Sequence, residues 1–377
     1  MNPKISIVEG PRKTIADFYS NFTKSEIQLL VGSNQSTNNT ASIEYPNIKM
    51  VNFNMKNILP FDPASIISKS PNNLSWKYFP KINNFLKSSD IIGISDTYYF
   101  WNYQAFKFAK KNNIPLFTII WCNMKNHPSI YIPPYSFISN EIAKYSSLFI
   151  LRNKACLKFT RSLNIPDEKT KIIYMGIDLE HFVPKNYNLN STATVKILFV
   201  GSLTPSKGVL DLLKAFTILH STHPNIELLI AGSGPLENKI KELSQKYPIK
   251  YLGFTPYEKL PDFYTQCDIF CSPSKTLKYF NFPINQEYFP YTSLEAMASA
   301  LPIISTNIGG IPEAIGQDNL LVHEGDIEQL VNSLKLLINN KTLRQEIGQK
   351  NRERAKKLFD SKVQVRETEE AILNIKR

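Results

Sequence analysis

The chain has 377 residues, of which 42% are hydrophobic and 20% charged. A single hydrophobic core rarely organises so long a chain, so this length indicates two domains. The composition is that of a globular rather than a disordered protein. Four cysteines are too few for a disulfide framework in so long a chain. No run approaches the roughly 18 apolar residues of a membrane-spanning helix, and the N-terminus lacks a secretory signal pattern. We therefore expect a cytoplasmic protein.

The formal net charge is +12, and the basic excess lies in the first half of the chain. Residues 1–185 hold 22 of the 44 Lys and Arg but only 12 of the 32 Asp and Glu. Such a field suits an acidic partner, either an anionic membrane surface or a phosphate-bearing acceptor, although a merely lysine-rich surface explains it equally well. We expect no nucleic-acid partner, because basic runs interleaved with aromatic residues and known nucleic-acid motifs are absent.

Short apolar runs alternate with amphipathic segments in the first half, which is typical of a parallel sheet covered by helices. The predicted strands are Lys4–Val8, Ile27–Val31, Ile48–Phe53, Asp90–Ser95, Leu116–Trp121 and Leu148–Leu151. The predicted helices are Trp76–Lys87, Tyr98–Lys111 and Lys154–Leu163. Residues 32–75 are rich in Asn, Ser and Pro and are predicted to be loops.

The same alternation resumes after the polar segment Pro184–Thr194. The predicted strands are Val195–Val200, Ile226–Ala231, Ile249–Leu252, Ile269–Ser272 and Pro302–Ser305. The predicted helices are 207–220, 235–246, 257–265 and 292–300. The pattern predicts an α/β protein with two Rossmann-like doubly wound domains facing each other across a cleft.

Two glycine turns follow strands of the second half. Gly201-Ser202 ends the first strand, and Lys207-Gly208 then opens a helix; such a helix start presents backbone N–H groups to an anion, and the lysine adds a positive charge. Gly234 belongs to a second turn, which is followed by a proline at the first turn of a helix. Each turn alone is weak evidence for a phosphate site.

Two glutamates, Glu287 and Glu295, lie eight positions apart in the segment 287–298. The first is predicted in a loop and the second in the first turn of a helix, where a carboxylate also suits the helix dipole. Further on, Gly309 and Gly310 follow a strand and open another helix, so that their backbone can cradle ligand oxygens.

In this order, the motifs between Lys171 and about Gln329 resemble glycosyltransferase family 4, the retaining glycosyltransferases with the GT-B fold. The resemblance implies an acceptor-binding domain (1–185), a donor-binding domain (186–358) and a terminal helix (359–377) that crosses back to the first domain. It also implies a UDP- or GDP-linked sugar as donor, and no metal or other cofactor.

The resemblance assigns Lys207 to the diphosphate leaving group, Glu287 to the transferred sugar and Glu295 to the ribose hydroxyls. Ser202 stands where the family has an arginine, so one expected cation is missing. The donor-binding residues that the resemblance implies are Gly201, Ser202, Lys207, Gly234, Leu252, Phe254, Ser274, Glu287, Tyr291, Thr292, Ser293, Glu295, Gly309 and Gly310. The loop 273–286, which carries Tyr279, Phe280 and Phe282, is interpreted either as a lid or as a surface loop.

The first half offers two candidates. His127 follows a predicted strand where the family places a histidine beside the reacting centre, and it is a third catalytic candidate with Lys207 and Glu287, although a lone loop histidine is more often incidental. Asp96 is a weaker candidate for the acceptor side. Cys267 and Cys271 flank a buried strand without a nearby histidine, so they are predicted to be core residues and not metal ligands.

The predicted function is transfer of a sugar from a nucleoside-diphosphate sugar to a hydroxyl of a glycan or lipid-linked acceptor, with retained configuration, in cell-surface glycan or glycolipid synthesis. A peripheral site at an anionic membrane is compatible with this function. Two alternatives stay open: a GT-B sugar-nucleotide epimerase, and a catalytically silent relative that binds nucleotide or glycan, which the missing arginine favours.

Overall fold

The structure is a computed structural model, and it describes residues 2–9, 13–33, 47–57, 77–184, 194–279 and 282–375. The chain divides into two compact units. The first unit comprises Met1–Gly176, Lys278–Ile284 and Ser361–Arg377, and the second comprises Ile177–Leu277 and Asn285–Asp360. The boundary of the first unit therefore falls at Gly176, whereas the sequence suggested residue 185, and the short segment 278–284 was not expected to join it.

The first unit is built on a parallel sheet. Its strands are β1 (Lys4–Glu9), β2 (Glu26–Ser33), β3 (Ile48–Asn54), β6 (Ile91–Ser95), β7 (Leu116–Ile120), β8 (Leu148–Leu151) and β9 (Thr170–Ile172), while β4 (Lys56–Asn57) and β5 (Lys77–Tyr78) form a separate antiparallel pair. The seven strands lie in the order β3-β2-β1-β6-β7-β8-β9. All side chains of β6 and β7 are buried, because helices cover both faces of a parallel sheet. The six strands predicted in this half are confirmed.

The helices of this part are α1 (Lys13–Ser20), α2 (Ile82–Leu86), α3 (Phe100–Lys111), α4 (Tyr135–Tyr145) and α5 (Cys156–Ser162). The predicted helix Trp76–Lys87 is wrong over most of its length, because Lys77–Tyr78 is extended and only Ile82–Leu86 is helical. That short helix needs only Ile82 and Leu86 to reach the core. The helices α1 and α4 and the strand β9 were not predicted.

The second unit has a six-stranded parallel sheet. Its strands are β10 (Val195–Val200), β11 (Ile226–Ala231), β12 (Ile249–Gly253), β13 (Ile269–Ser272), β16 (Ile303–Thr306) and β17 (Leu320–Val322). The small pair of β14 (Leu277–Tyr279) and β15 (Phe282–Asn285) lies mostly in the segment 278–284 of the first unit. The order β12-β11-β10-β13-β16-β17 reverses direction between β10 and β13. Ligands of doubly wound sheets bind at the carboxyl ends of the strands at such a switch point. The five predicted strands are confirmed, and β17 was missed.

The helices of the second unit are α6 (Val209–His220), α7 (Glu237–Ser244), α8 (Leu260–Gln266), α9 (Tyr291–Ala298), α10 (Ile311–Ile315), α11 (Ile327–Asn339) and α12 (Lys341–Leu358). Helix α6 buries Leu212, Leu213 and Phe216 against the sheet. This apolar stripe at helical spacing is the reason that the helix was predictable. Across the ranges that the structure describes, no helix is both long and apolar enough to cross a bilayer.

The last helix, α13 (Ser361–Leu373), belongs to the first unit. Its Glu369 carboxylate, which is almost fully buried, accepts hydrogen bonds from the backbone N–H groups of Thr23 (3.1 Å) and Lys24 (2.8 Å) and from the Ser25 hydroxyl (2.5 Å). A Cβ atom on Gly176 would lie 2.2 Å from the Cα atom of Ser361. The start and the middle of α13 therefore both pack closely on the first unit.

Candidate functional site

Glycine turns at the carboxyl ends of β10, β11 and β12 interlock. The N–H of Gly201 donates to the carbonyl of Ala231 (3.0 Å), and the N–H of Gly232 donates to the carbonyl of Gly253 (2.8 Å). A Cβ atom on Gly232 would lie 1.9 Å from the Gly201 carbonyl oxygen, and one on Gly234 would lie 2.7 Å from another carbonyl oxygen. These glycines therefore permit close packing of neighbouring strand ends.

Lys207 ends a short 3₁₀ turn, Pro205–Lys207, and α6 begins only at Val209. The N–H groups of Lys207 and Gly208 donate to carbonyls within this turn at 3.1 Å. The prediction that the turn presents its amides to an anion is therefore wrong for these two groups. The ammonium group of Lys207 remains as the positive charge of the turn.

The side chains of Lys207, Ser274 and Glu287 converge at the switch point. Lys207 Nζ lies 2.5 Å from Glu287 Oε2, and the Ser274 hydroxyl donates to the same oxygen at 3.3 Å. Lys207 and Glu287 are one-third and one-sixth exposed (33% and 16%), so the ion pair is shielded but reachable from solvent. Three segments far apart in sequence thus bring a cation, a carboxylate and a hydroxyl together.

The loop after β13 is held against the Lys207 turn by several contacts. The N–H of Lys275 donates to the carbonyl of Ser206 (2.7 Å), and its ammonium group lies 2.6 Å from the buried carboxylate of Asp211. The Thr306 hydroxyl donates to the carbonyl of Ser274 at 2.5 Å. Lys275 and Asp211 were missed by the sequence reasoning; the only signal was that Lys275 follows a predicted donor-binding residue.

Glu295 lies in the second turn of α9, not in the first turn as predicted, because the helix begins at Tyr291. Its carboxylate accepts a hydrogen bond from the Tyr264 hydroxyl at 2.7 Å. Burial raises the pKa of Glu295 to about 7, and the bond from Tyr264 opposes this shift only in part. Burial also raises the pKa of Tyr264 well above its usual value. Tyr264 was not predicted as part of the site.

The other predicted donor residues lie near the same strand ends. Phe254 follows the end of β12 and is 73% exposed, which leaves its ring open to a ligand, and Leu252 is half-buried. Ser202, at the position of the family arginine, is exposed.

At the starts of α9 and α10, side chains are buried and a backbone amide is hydrogen-bonded to another part of the protein. Tyr291 and Thr292 open α9, and Ser293 is fully buried there. The N–H of Gly310 donates to the Glu287 carbonyl at 2.9 Å, so this amide cannot cradle a ligand as predicted, while Gly309 adopts a left-handed conformation beside it.

Phe280 and the side chains of Tyr279 and Phe282 lie outside the described residues.

In the first unit, His127 is buried and stacks on Tyr98, with ring centroids 4.6 Å apart. Its Nδ1 atom lies 2.7 Å from the Ser129 hydroxyl and 3.3 Å from the Ser129 N–H, so Ser129 occupies this side of the ring. Burial lowers the pKa of His127 to about 4. The imidazole is therefore neutral at physiological pH.

Asp96 adopts a left-handed conformation directly after β6 and is buried. Its carboxylate accepts hydrogen bonds from the N–H groups of Trp121 (3.0 Å) and Cys122 (3.2 Å) and from the Tyr98 hydroxyl (3.2 Å). The two N–H donors lie at the start of the segment that leads to His127. The geometry gives Asp96 a role in fixing that segment.

Cys267 and Cys271 are buried in the core, as predicted. Among the residues described by the structure, no group of three or more His, Cys, Asp or Glu is arranged to hold a metal ion.

Two doubly wound units, the second with its polar cluster at the switch point, define a protein of the GT-B fold. Solved structures share this fold over nearly the whole chain. HepE from Anabaena, crystallised with UDP, is 16% identical and superposes with a TM-score of 0.75 over 98% of this chain and 99% of that chain. A glycosyltransferase from Rickettsia africae is 18% identical, with a TM-score of 0.73 over the full length of both chains.

Residues 185–354 match the sequence model of the family described as glycosyl transferases group 1. The Staphylococcus aureus capsular polysaccharide biosynthesis glycosyltransferase CapM is 29% identical over 244 residues, which is 60% of this chain and 62% of CapM. The Bacillus subtilis spore coat protein SA is 29% identical over 216 residues, 51% of this chain and 55% of that protein. The Arabidopsis thaliana sulfoquinovosyl transferase SQD2 is 26% identical over 278 residues, 68% of this chain and 51% of that protein. The matches thus span 51% to 62% of these relatives' own length.

Proposed function

We propose that this protein is a retaining glycosyltransferase that moves a sugar from a nucleoside-diphosphate sugar to a hydroxyl acceptor in the synthesis of a cell-surface polysaccharide or glycolipid. The observation that carries the proposal is the convergence of Lys207, Ser274 and Glu287 at the switch point of a group 1 glycosyltransferase domain. The names of CapM and SQD2, a capsular polysaccharide glycosyltransferase and a sulfoquinovosyl transferase, support the class of acceptor.

We assign the ion pair between Lys207 and Glu287 to the site before the donor binds. Breaking a glycosyl–phosphate bond builds negative charge on the leaving diphosphate, and a preorganised cation in a shielded site stabilises that charge. In our proposal, the Lys207 ammonium pairs with the Glu287 carboxylate before the donor binds and with the diphosphate afterwards. Glu287, released from the lysine, then accepts hydrogen bonds from the hydroxyls of the transferred sugar. Ser274, which already donates to Glu287, keeps that carboxylate in place.

The nucleoside part of the donor is assigned to Glu295 and to the end of β12. Glu295 is a buried residue of α9, and its ionised form would accept hydrogen bonds from ribose hydroxyls. The exposed ring of Phe254 offers a flat surface on which a nucleobase can stack. Stacking of this kind tolerates every base, so it is compatible with uridine and guanosine donors alike.

His127 is proposed to act as a hydrogen-bond donor and not as a general base. Its low pKa keeps the ring neutral, and its Nδ1 atom is used by Ser129. Since His127 is assigned as a donor, we propose that the leaving phosphate takes the proton of the acceptor hydroxyl on the same face of the sugar, which retains the anomeric configuration. This route uses no divalent ion, so activity should survive EDTA.

Calorimetric titration with UDP and GDP, followed by assay of donor hydrolysis and of transfer to lipid extracts, tests the proposal. Lys207→Ala should lower turnover by roughly 10²- to 10³-fold, as is usual when one group that stabilises the leaving charge is removed. Lys214→Ala, which removes an exposed lysine of α6, is the matched control and should leave the rate unchanged. Wild-type rates in Lys207→Ala would refute the assignment. Nucleotide binding without any turnover would instead identify a silent relative.

A further inference from the structure

We propose that the segment 131–137 of the first unit is a docking surface for an anionic lipid bilayer. This inference deepens the proposed function, because it names the place from which a lipid-linked acceptor would be taken. It does not depend on donor chemistry, since binding to lipid can be measured without any sugar nucleotide.

The first observation is a concentration of exposed apolar side chains. Tyr131, Ile132 and Phe137 are 61%, 50% and 58% exposed. Only seven large hydrophobic side chains among the described residues are exposed to a comparable extent, and three of them fall within these seven consecutive positions. Scattered apolar side chains are normal on a protein surface, whereas a local group of them marks an interaction site.

The local structure explains why these side chains point outward. Helix α4 begins at Tyr135 and turns Tyr135, Ile138 and Ile142 into the core. Phe137 lies on the opposite side of the helix, where its ring meets the Tyr103 ring edge-on, with the ring centroids 6.4 Å apart. Tyr131 and Ile132 lie just before the helix, after the short 3₁₀ turn Pro128–Ile130. The core is complete without the three exposed side chains.

The second observation is the charge around the surface. Residues 97–166 contain nine Lys and Arg, of which Arg152 is buried and Arg161 is paired with Asp167, and a single acidic residue, Glu141. That carboxylate is already paired with Lys110, at 3.1 Å. Lys107, Lys125 and Lys144 are exposed on the elements that carry or adjoin segment 131–137. Aromatic and aliphatic side chains that enter the interface, together with lysines that face anionic headgroups, are the features of a peripheral membrane-binding surface.

The same charge argues against the other plausible occupant, a second copy of this chain. A symmetric dimer through segment 131–137 would bring two strongly basic surfaces together, at an electrostatic cost. An anionic bilayer instead gains from every lysine that it meets. The charge therefore favours lipid over self-association.

The position of the segment connects it to the candidate site. His127 caps the 3₁₀ turn from which the exposed residues follow, so the proposed catalytic residue and the apolar surface are four residues apart. An acceptor whose lipid tail stays in the bilayer would thus be held near His127. The chemical class implied is a hydroxyl on an amphiphile, in preference to a free sugar.

Co-sedimentation of the full chain with vesicles tests the proposal. Vesicles of phosphatidylcholine with 30 mol% phosphatidylglycerol, about one-third anionic as in charged natural leaflets, should bind the protein, and pure phosphatidylcholine should bind it weakly. Binding should fall as salt is raised. Ile132→Ser with Phe137→Ser should lower the partition coefficient at least about tenfold. Ile218→Ser with Leu336→Ser, which removes two exposed apolar residues of the second unit, is the matched control and should bind as wild type does.

Charge is tested separately. Lys107, Lys125 and Lys144 are replaced by Gln, and the control replaces Lys246, Lys250 and Lys335, which are exposed on the second unit. Only the first set should reduce binding and its salt dependence. Equal losses in both sets, or full binding by Ile132→Ser with Phe137→Ser, would overturn the proposal. A lipid-free dimer in sedimentation velocity that dissociates in the apolar variant would do so too, because it identifies a self-interface. Unchanged UDP affinity in all variants would show that the donor site stands regardless.

Discussion

Replacing Glu295 with Gln should remove a pH dependence of stability that the buried carboxyl group imposes. The pKa of Glu295 is raised by burial from 4.5 to about 7. Because the folded value is the higher one, the stabilising effect is complete below pH 4.5 and is lost as the pH rises through 7. At about 1.4 kcal/mol per pKa unit, the full loss amounts to roughly 3.5 kcal/mol, of which roughly 2–3 kcal/mol falls between pH 5 and pH 8. Glutamine cannot ionise, and its side-chain carbonyl can still accept the bond from Tyr264.

Thermal unfolding followed by circular dichroism at pH 5 and pH 8 measures the effect. Relative to wild type, Glu295→Gln should gain roughly 4–12 °C in Tm between the two pH values, from the usual relation of stability to Tm in chains of this size. Glu346→Gln, which removes an exposed carboxylate of α12, should follow wild type at both pH values. Parallel pH profiles of wild type and Glu295→Gln would show that the carboxyl group is not held in a desolvated state, and the reasoning would fail.

Three further predictions concern other parts of the site. His127→Gln should abolish a loss of stability that wild type shows as the pH falls from 6.5 towards 4, because burial lowers the pKa of His127 to about 4. Tm values of both proteins at pH 4 and 7 test this, and identical pH profiles would contradict it. Gly208→Ala should lower both Tm and UDP affinity, since its Cβ would lie 1.8 Å from the Pro273 carbonyl oxygen. Gly325→Ala, also at positive φ but in open space, should lower the free energy of unfolding by only about 1 kcal/mol and leave UDP affinity unchanged. Asp211→Asn should raise the KM for donor severalfold by releasing Lys275, and an unchanged KM would show that the loop is held by its backbone contacts alone.

The central strands of both sheets were predictable because they are short apolar runs that are buried on both sides. The sequence Ile197–Val200 of β10 and the sequence Leu116–Ile120 of β7 leave no polar face that a surface helix would need. Helix α6 was predictable for the opposite reason, since its leucines and Phe216 recur at helical spacing. Local pattern thus determined both fold class and the sites of the glycine turns.

The errors arise where tertiary contacts, and not local pattern, decide the structure. The amphipathic stretch 76–87 fits a helix, yet Lys77 and Tyr78 pair with β4 as a strand. Helix α9 begins one residue earlier than expected, which was enough to move Glu295 into the second turn and against Tyr264.

The contact between Lys207 and Glu287 joins residues 80 positions apart, and a single sequence carries no record of such a distance. The same holds for Lys275 and Asp211. The chemical types at the site were therefore predictable from the motifs, whereas their pairing was not.

The docking of α13 has a practical consequence for anyone who wishes to study the halves of this protein apart. The buried Glu369 carboxylate accepts hydrogen bonds from two backbone N–H groups that precede β2. Removal of the last 17 residues would leave those two donors without this acceptor and would expose the apolar surface that α13 covers. Severing the gene near residue 185 would yield an N-terminal fragment without its own final helix. An isolated first unit that keeps its native structure must instead combine segments from both ends of the polypeptide, for example by circular permutation.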